Sequence, residues 1–144
     1  FENSAISVDG SITKIYKVKS KHLNNYGDHI PGISSFNKQH LIKHGVKKSH
    51  IISEPVSSIS MASLIKKYNF DSFDLLYIDA EGYDANIAID FLKTTSIRPI
   101  IILEYIHIEK DIFKDLINLL EKENYSFFQL TKIYFAIQQK ISNL

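Results

Sequence analysis

The sequence predicts an α/β fold, a mostly parallel and doubly wound sheet closed by a C-terminal antiparallel strand pair, and three observations carry that expectation. The stretch Asp74-Leu75-Leu76-Tyr77-Ile78 is a short, nearly continuous apolar run, the pattern of a strand buried on both faces of a parallel sheet. It stops abruptly at Asp79-Ala80-Glu81-Gly82, and from Asp84 the positions Ala85, Ala88, Ile89 and Leu92 form an apolar stripe at helical spacing. The same unit then repeats: Ile100 to Leu103 form a second apolar strand ending in Glu104, and Ile112, Phe113, Leu116, Ile117 and Leu120 mark the buried face of the next helix. Finally, Tyr125 to Leu130 and Ile133 to Ile137 read as two strands joined by Thr131-Lys132. Strands alternating with helices imply right-handed crossovers and parallel pairing.

The remaining elements follow in order. Ile12, Ile15, Tyr16 and Val18 lie among Thr13, Lys14 and Lys17, after the turn signal Asp9-Gly10, which predicts a strand with one solvated face. From Lys21 to Phe36 the chain is rich in Asn, Gly, Ser and His, a loop composition rather than a core one. A short helix is expected from Asn37 to His44, with Gly45 placed to end it. After a short apolar piece at His50 to Ser53, Ser60 suits the N-cap of a helix on which Met61, Leu64, Ile65 and Tyr68 recur at helical spacing. Arg98-Pro99 opens the second apolar strand, a position where proline is tolerated, and the polar segment Glu121 to Asn124 ends the last helix.

A chain of 144 residues with 44% hydrophobic side chains has the size of one compact domain. Seventeen basic residues against sixteen acidic ones leave a net charge of +1, and Arg98 is the only arginine. Nucleic acid is therefore not expected as a partner, because duplex binders carry a basic stripe rich in arginine. The absence of cysteine rules out a disulfide framework and thiolate metal sites, which suits a reducing, cytoplasmic compartment. No apolar stretch approaches the roughly 20 residues that span a bilayer; the run from Ile100 to Ile106 is interrupted by Glu104. The chain opens on Phe1 with neither an initiator methionine nor a signal-peptide pattern, so further sequence is expected upstream.

In open α/β sheets ligands bind outside the carboxyl ends of the strands, which is where Asp79 and Glu104 fall on two successive strands. Asp79, Glu81 and Asp84 also cluster at a helix N-terminus, where free N–H groups and the macrodipole favour the ionised form. Such carboxylates suit accepting hydrogen bonds or holding a cation better than donating a proton. Gly82 fits a sharp turn. A purely structural reading, with Asp79 or Glu81 capping the helix, stays open. His107 is either a base or ligand or a solvated loop side chain, and Tyr77 and Tyr83 flank the turn. His40 and His44 are spaced for one helical face but have no third ligand, so no metal site is predicted.

These residues resemble the FkbM-type methyltransferases, which use S-adenosylmethionine. Asn3-Ser4-Ala5-Ile6-Ser7 followed by Asp9-Gly10 resembles the family's strand end and hairpin, and Gly32-Ile33-Ser34-Ser35-Phe36 its glycine-serine-serine loop. Leu75 to Asp84 is similar to the signature strand, Asp-x-Glu-Gly turn and following acidic residue, and Arg98 to Glu104 to the next strand. The family usually has lysine two positions before the aspartate, where this chain has Tyr77. The resemblance covers nearly all of residues 1–144 but only the later part of the family's single domain. It implies a Rossmann-like class I methyltransferase sheet whose N-terminal strands, with the glycine-rich turn and the ribose-binding carboxylate, are missing from this chain.

What the resemblance implies for function is S-adenosyl-L-methionine as cofactor and O-methylation of a hydroxyl on a sugar or polyketide-like acceptor. The acceptor would be a small molecule or glycan. Asp79 is the first candidate for taking the acceptor proton, Glu81 the second and Glu104 the third; the alternative role for Asp79 or Glu81 is to hold a divalent cation. Asn3 and Ala5 are expected on the adenine side of the cofactor, with Asp79 also in contact with it. Two rivals remain open: a truncated, non-catalytic relative, and a magnesium-dependent phosphatase suggested by Ile78-Asp79-Ala80-Glu81-Gly82, whose acidic motif would expect a second aspartate in place of Glu81.

Overall fold

The computed structural model describes residues 1–11 and 14–139, which form two compact units, Phe1–Ile59 and the segment from Ser60 onward. The first unit contains β1 (Ala5–Ile6), β2 (Lys14–Val18), β3 (Ser34–Ser35), α1 (Lys38–Lys43), β4 (Ile51–Pro55) and β5 (Ser58–Ile59). β2 is the centre of an antiparallel sheet in the order β3-β2-β4, and β1 pairs in parallel with β5. The expected strand is thus present from Lys14; Ile12 and Thr13 lie outside the described residues. Asn37 caps α1 by accepting the Gln39 N–H at 2.9 Å. Gly45, at φ 83°, ends it by donating to the Ile42 carbonyl.

The segment Lys21–Phe36 corrects the sequence reading. It is not merely loop: two short 3-10 turns, Ser20–Asn25 and Ile30–Gly32, lead into β3, and Ile30 and Ile33 enter a core with Val18, Leu41, Val46 and Ile51. In a 3-10 turn residues three apart share a face, so the two isoleucines point the same way although polar residues surround them.

The second unit runs α2 (Met61–Tyr68), β6 (Leu75–Ile78), α3 (Asp84–Thr94), β7 (Ile100–Glu104), α4 (Lys110–Lys122), β8 (Tyr125–Leu130) and β9 (Ile133–Gln138). Ser60 caps α2 through the Ser63 N–H, and Asn69 ends it in the left-handed region. The sheet order is β6-β7-β9-β8. β6 and β7 are parallel, with Ile78 opposite Leu103, and β9 returns antiparallel to both β7 and β8. Among the described residues antiparallel pairings outnumber parallel ones, so the expected mostly parallel sheet becomes a mixed α/β arrangement. The reason is that the terminal hairpin lays β9 directly against β7 rather than extending the sheet elsewhere.

The alternation of side chains across the strands separates two faces. Ile78, Ile101, Leu103 and Ala136 are buried, as are Ala85, Ala88, Phe91 and Leu92 of α3 and Leu116 and Leu120 of α4. On the opposite strand face Leu75 is 53% and Tyr77 59% exposed, and Ile100, Phe128 and Ile137 are exposed as well. The expectation that β6 is buried on both faces therefore fails. An apolar run records what a strand can bury, not what lies against it.

Candidate active site at the strand ends

β6 and β7 end side by side. Their last register pair, Ile78 and Leu103, is followed by Asp79 on one strand and matched by Glu104 closing the other, so the two carboxylates sit at the same edge of the parallel pair. Asp79 is exposed, while Glu81 and Glu104 are half-buried. Between Asp79 and α3 the chain turns through two residues of positive φ, Glu81 at 49° and Gly82 at 92°. The first is uncommon for glutamate, a conformation that costs a residue with a Cβ roughly 1–2 kcal/mol.

Asp84 holds this turn. The Ala80 N–H donates to its Oδ1 at 3.2 Å and the Gly82 N–H to its Oδ2 at 3.1 Å, so the amides on either side of Glu81 share one carboxylate. The Tyr83 N–H closes the turn onto the Ala80 carbonyl at 3.1 Å. Tyr83, the N-cap of α3, makes no side-chain cap bond. Asp84 is only 1% exposed, and burial raises its carboxyl to about 6 against the opposing effect of the backbone donors, with the charge of Asp79 adding to the rise. The helix terminus alone would hold this carboxyl low; desolvation outweighs the backbone donors and raises it, though a group at about 6 is still mostly ionised at neutral pH.

The second strand end approaches the first through a backbone contact. A Cβ on Gly82 would lie 3.0 Å from the His107 carbonyl oxygen, so glycine is required there both by its φ and by the closeness of the turn after β7. His107 is not a fully solvated loop residue: its Nε2 lies 3.7 Å from Glu104 Oε2, and both side chains are about a quarter exposed. The stretch is anchored by Tyr105, whose N–H donates to the Lys132 carbonyl, whose hydroxyl donates to that of Thr131, and whose ring packs on Phe113 and Tyr134.

The structure brings Asp79, Glu81 and Glu104 to one edge of the second unit. Asn3 and Ala5 lie in the first unit, where the Ala5 N–H donates to the Ser57 carbonyl as β1 joins β5. His40 and His44 have tilted rings 4.4 Å apart, with His44 Nδ1 3.0 Å from the His40 carbonyl oxygen. Among the described residues no group of three or more His, Asp or Glu is arranged to hold a metal ion, and no helix is long and apolar enough to cross a membrane. One participant escapes sequence reasoning: Asp84 counts there as one more charge at the helix start. For His107 the sequence leaves a base or ligand open against a solvated loop side chain, and its spacing of three from Glu104 is a usable signal between them.

A mixed α/β unit with carboxylates at the carboxyl ends of adjacent parallel strands is the arrangement that α/β enzymes use to receive ligands. The chain belongs to the methyltransferase FkbM domain family, whose model matches residues 3–127 and so runs through both compact units. No curated protein and no solved structure gives a significant match.

Proposed function

We propose that this chain is an S-adenosylmethionine-dependent methyltransferase domain that methylates a hydroxyl on a sugar or polyketide-like acceptor. The observation that carries the reading is the edge where Asp79, Glu81 and Glu104 close the parallel β6–β7 pair in a chain of the FkbM family. We read the second unit as part of a Rossmann-like sheet and the two units as parts of one domain, since the family match continues across their boundary.

The cofactor fits the residues present. It carries a sulfonium cation and hydroxyl groups, and the strand ends offer three carboxylates, two of them half-buried. Asp79 would face its cationic centre. When bound it supplies an electrophilic methyl group. The chain's own work is to orient the acceptor hydroxyl and accept its proton, which falls first to the exposed Asp79, with Glu81 and Glu104 as neighbours; positioning of this kind contributes roughly 7–11 kcal/mol in well-oriented reactions. The test is transfer of labelled methyl from S-adenosylmethionine to a panel of sugar and polyketide hydroxyl acceptors. Incorporation into an O-methyl product supports the reading. Incorporation only into amine or carbon acceptors would sink the choice of oxygen, and none anywhere would sink the enzyme.

A further inference from the structure

Asp84 lies within reach of the strand-end site yet cannot touch an acceptor, because only 1% of it is exposed. Both of its carboxyl oxygens are directed at the turn: Oδ1 receives the Ala80 N–H and Oδ2 the Gly82 N–H. Glu81, between those two amides, is held at φ 49°, a conformation glutamate seldom adopts unsupported. The same turn carries Asp79 one residue before Ala80.

We propose that Asp84 is the positioning residue of this site: its carboxylate clamps the amides flanking Glu81, and so sets the direction in which Asp79 and Glu81 present their carboxylates to the acceptor. The functional half of this proposal rests on the reading of the turn as the acceptor-orienting element; the clamp itself does not. A structural carboxylate would be replaced at a cost to the whole fold. Asparagine keeps the size and shape of this side chain while offering the turn one acceptor instead of two, so it removes one arm of the clamp.

The experiment is amide hydrogen exchange and proton chemical shift by NMR on the full chain, wild type against Asp84→Asn, at neutral pH. In the wild type both Ala80 and Gly82 amides are expected to be protected and shifted downfield, as donors to a carboxylate are. In Asp84→Asn one of them should exchange about tenfold faster, the factor that loss of one ordinary hydrogen bond gives, while Phe91 and Leu103 keep their wild-type behaviour. Turnover in methyl transfer should fall about tenfold to a hundredfold at unchanged cofactor affinity, as displaced catalytic groups produce. Unprotected Ala80 and Gly82 amides in the wild type overturn the proposal without need of any variant. So does an Asp84→Asn protein that loses protection equally across α3 and β7, which would make Asp84 a structural residue. A wild type without methyl transfer, but with the exchange pattern intact, removes the functional reading and leaves the clamp.

Discussion

Replacing Gly82 with alanine perturbs the site at one atom, and the structure sets the size of the effect. Two costs add. At φ 92° a residue with a Cβ is strained, by roughly 1–2 kcal/mol on the scale of left-handed backbone, and the new methyl would lie 3.0 Å from the His107 carbonyl oxygen. That neighbour is backbone, so relief requires the turn after β7 to shift, and overpacking of this kind costs about 1–3 kcal/mol. The expected loss is therefore about 2–5 kcal/mol in urea denaturation followed by circular dichroism, with the slope unchanged. Gly45→Ala supplies the control: its φ is 83° but nothing lies within 4 Å of the added methyl. It should show the backbone cost alone, about 1–2 kcal/mol. If both variants lose the same amount, the close approach of the two strand-end turns is refuted, and with it the contact that ties Glu104 and His107 to the Asp79 turn.

Three further outcomes follow from the same geometry. Arg98 donates through Nε and Nη2 to Glu123 Oε2 and through its terminal nitrogens to the carbonyls of Thr95, Ile97 and Leu92, joining the end of α3 to that of α4; Arg98→Lys keeps the charge but loses the fork, and should cost about 2–3 kcal/mol in denaturation. Tyr125→Phe strands the Pro99 carbonyl that the buried hydroxyl bonds at 2.9 Å, a loss of about 1 kcal/mol, and spectrophotometric titration should find Tyr125 pushed up to about 12 by its burial. His22 stacks on His50 at 3.7 Å, and desolvation first, then His50, Lys21 and Lys19, hold its pKa below 6.5. The folded state therefore binds this proton less tightly than the unfolded one, so stability is lost as pH falls below about 6.5. NMR titration should place its midpoint below that of a histidine in a peptide, and His50→Ala should move it back up.

Much of the second unit was legible because its information is local. The apolar run before Asp79, the stripe after Asp84 and the repeat at Ile100 to Leu120 each specify an element through periodicity alone, and Ser60 acts as the cap its chemistry suggests, as Gly45 ends α1 in the first unit. What sequence did not show depends on neighbours. Leu75 and Tyr77 read as core because they are apolar, yet they stand on an exposed face; Ile30 and Ile33 read as loop because of their polar flanks, yet a 3-10 turn carries them inside. The site divides the same way. Asp79, Glu81 and Glu104 were visible as charges interrupting apolar strands, and Gly82 as a turn glycine. The role of Asp84 was hidden, since the ionisation favoured by a helix start is opposed by burial, which no spacing reveals.

The most direct test of the proposed chemistry is methyl transfer by Asp79→Asn, measured beside calorimetric titration of S-adenosylmethionine into the same protein. A carboxylate that takes the acceptor proton predicts a fall in turnover of about a hundredfold or more, the range of general-base catalysis, with cofactor affinity altered far less. An unchanged rate, or a rate lost only in proportion to cofactor binding, would remove Asp79 from the proton transfer.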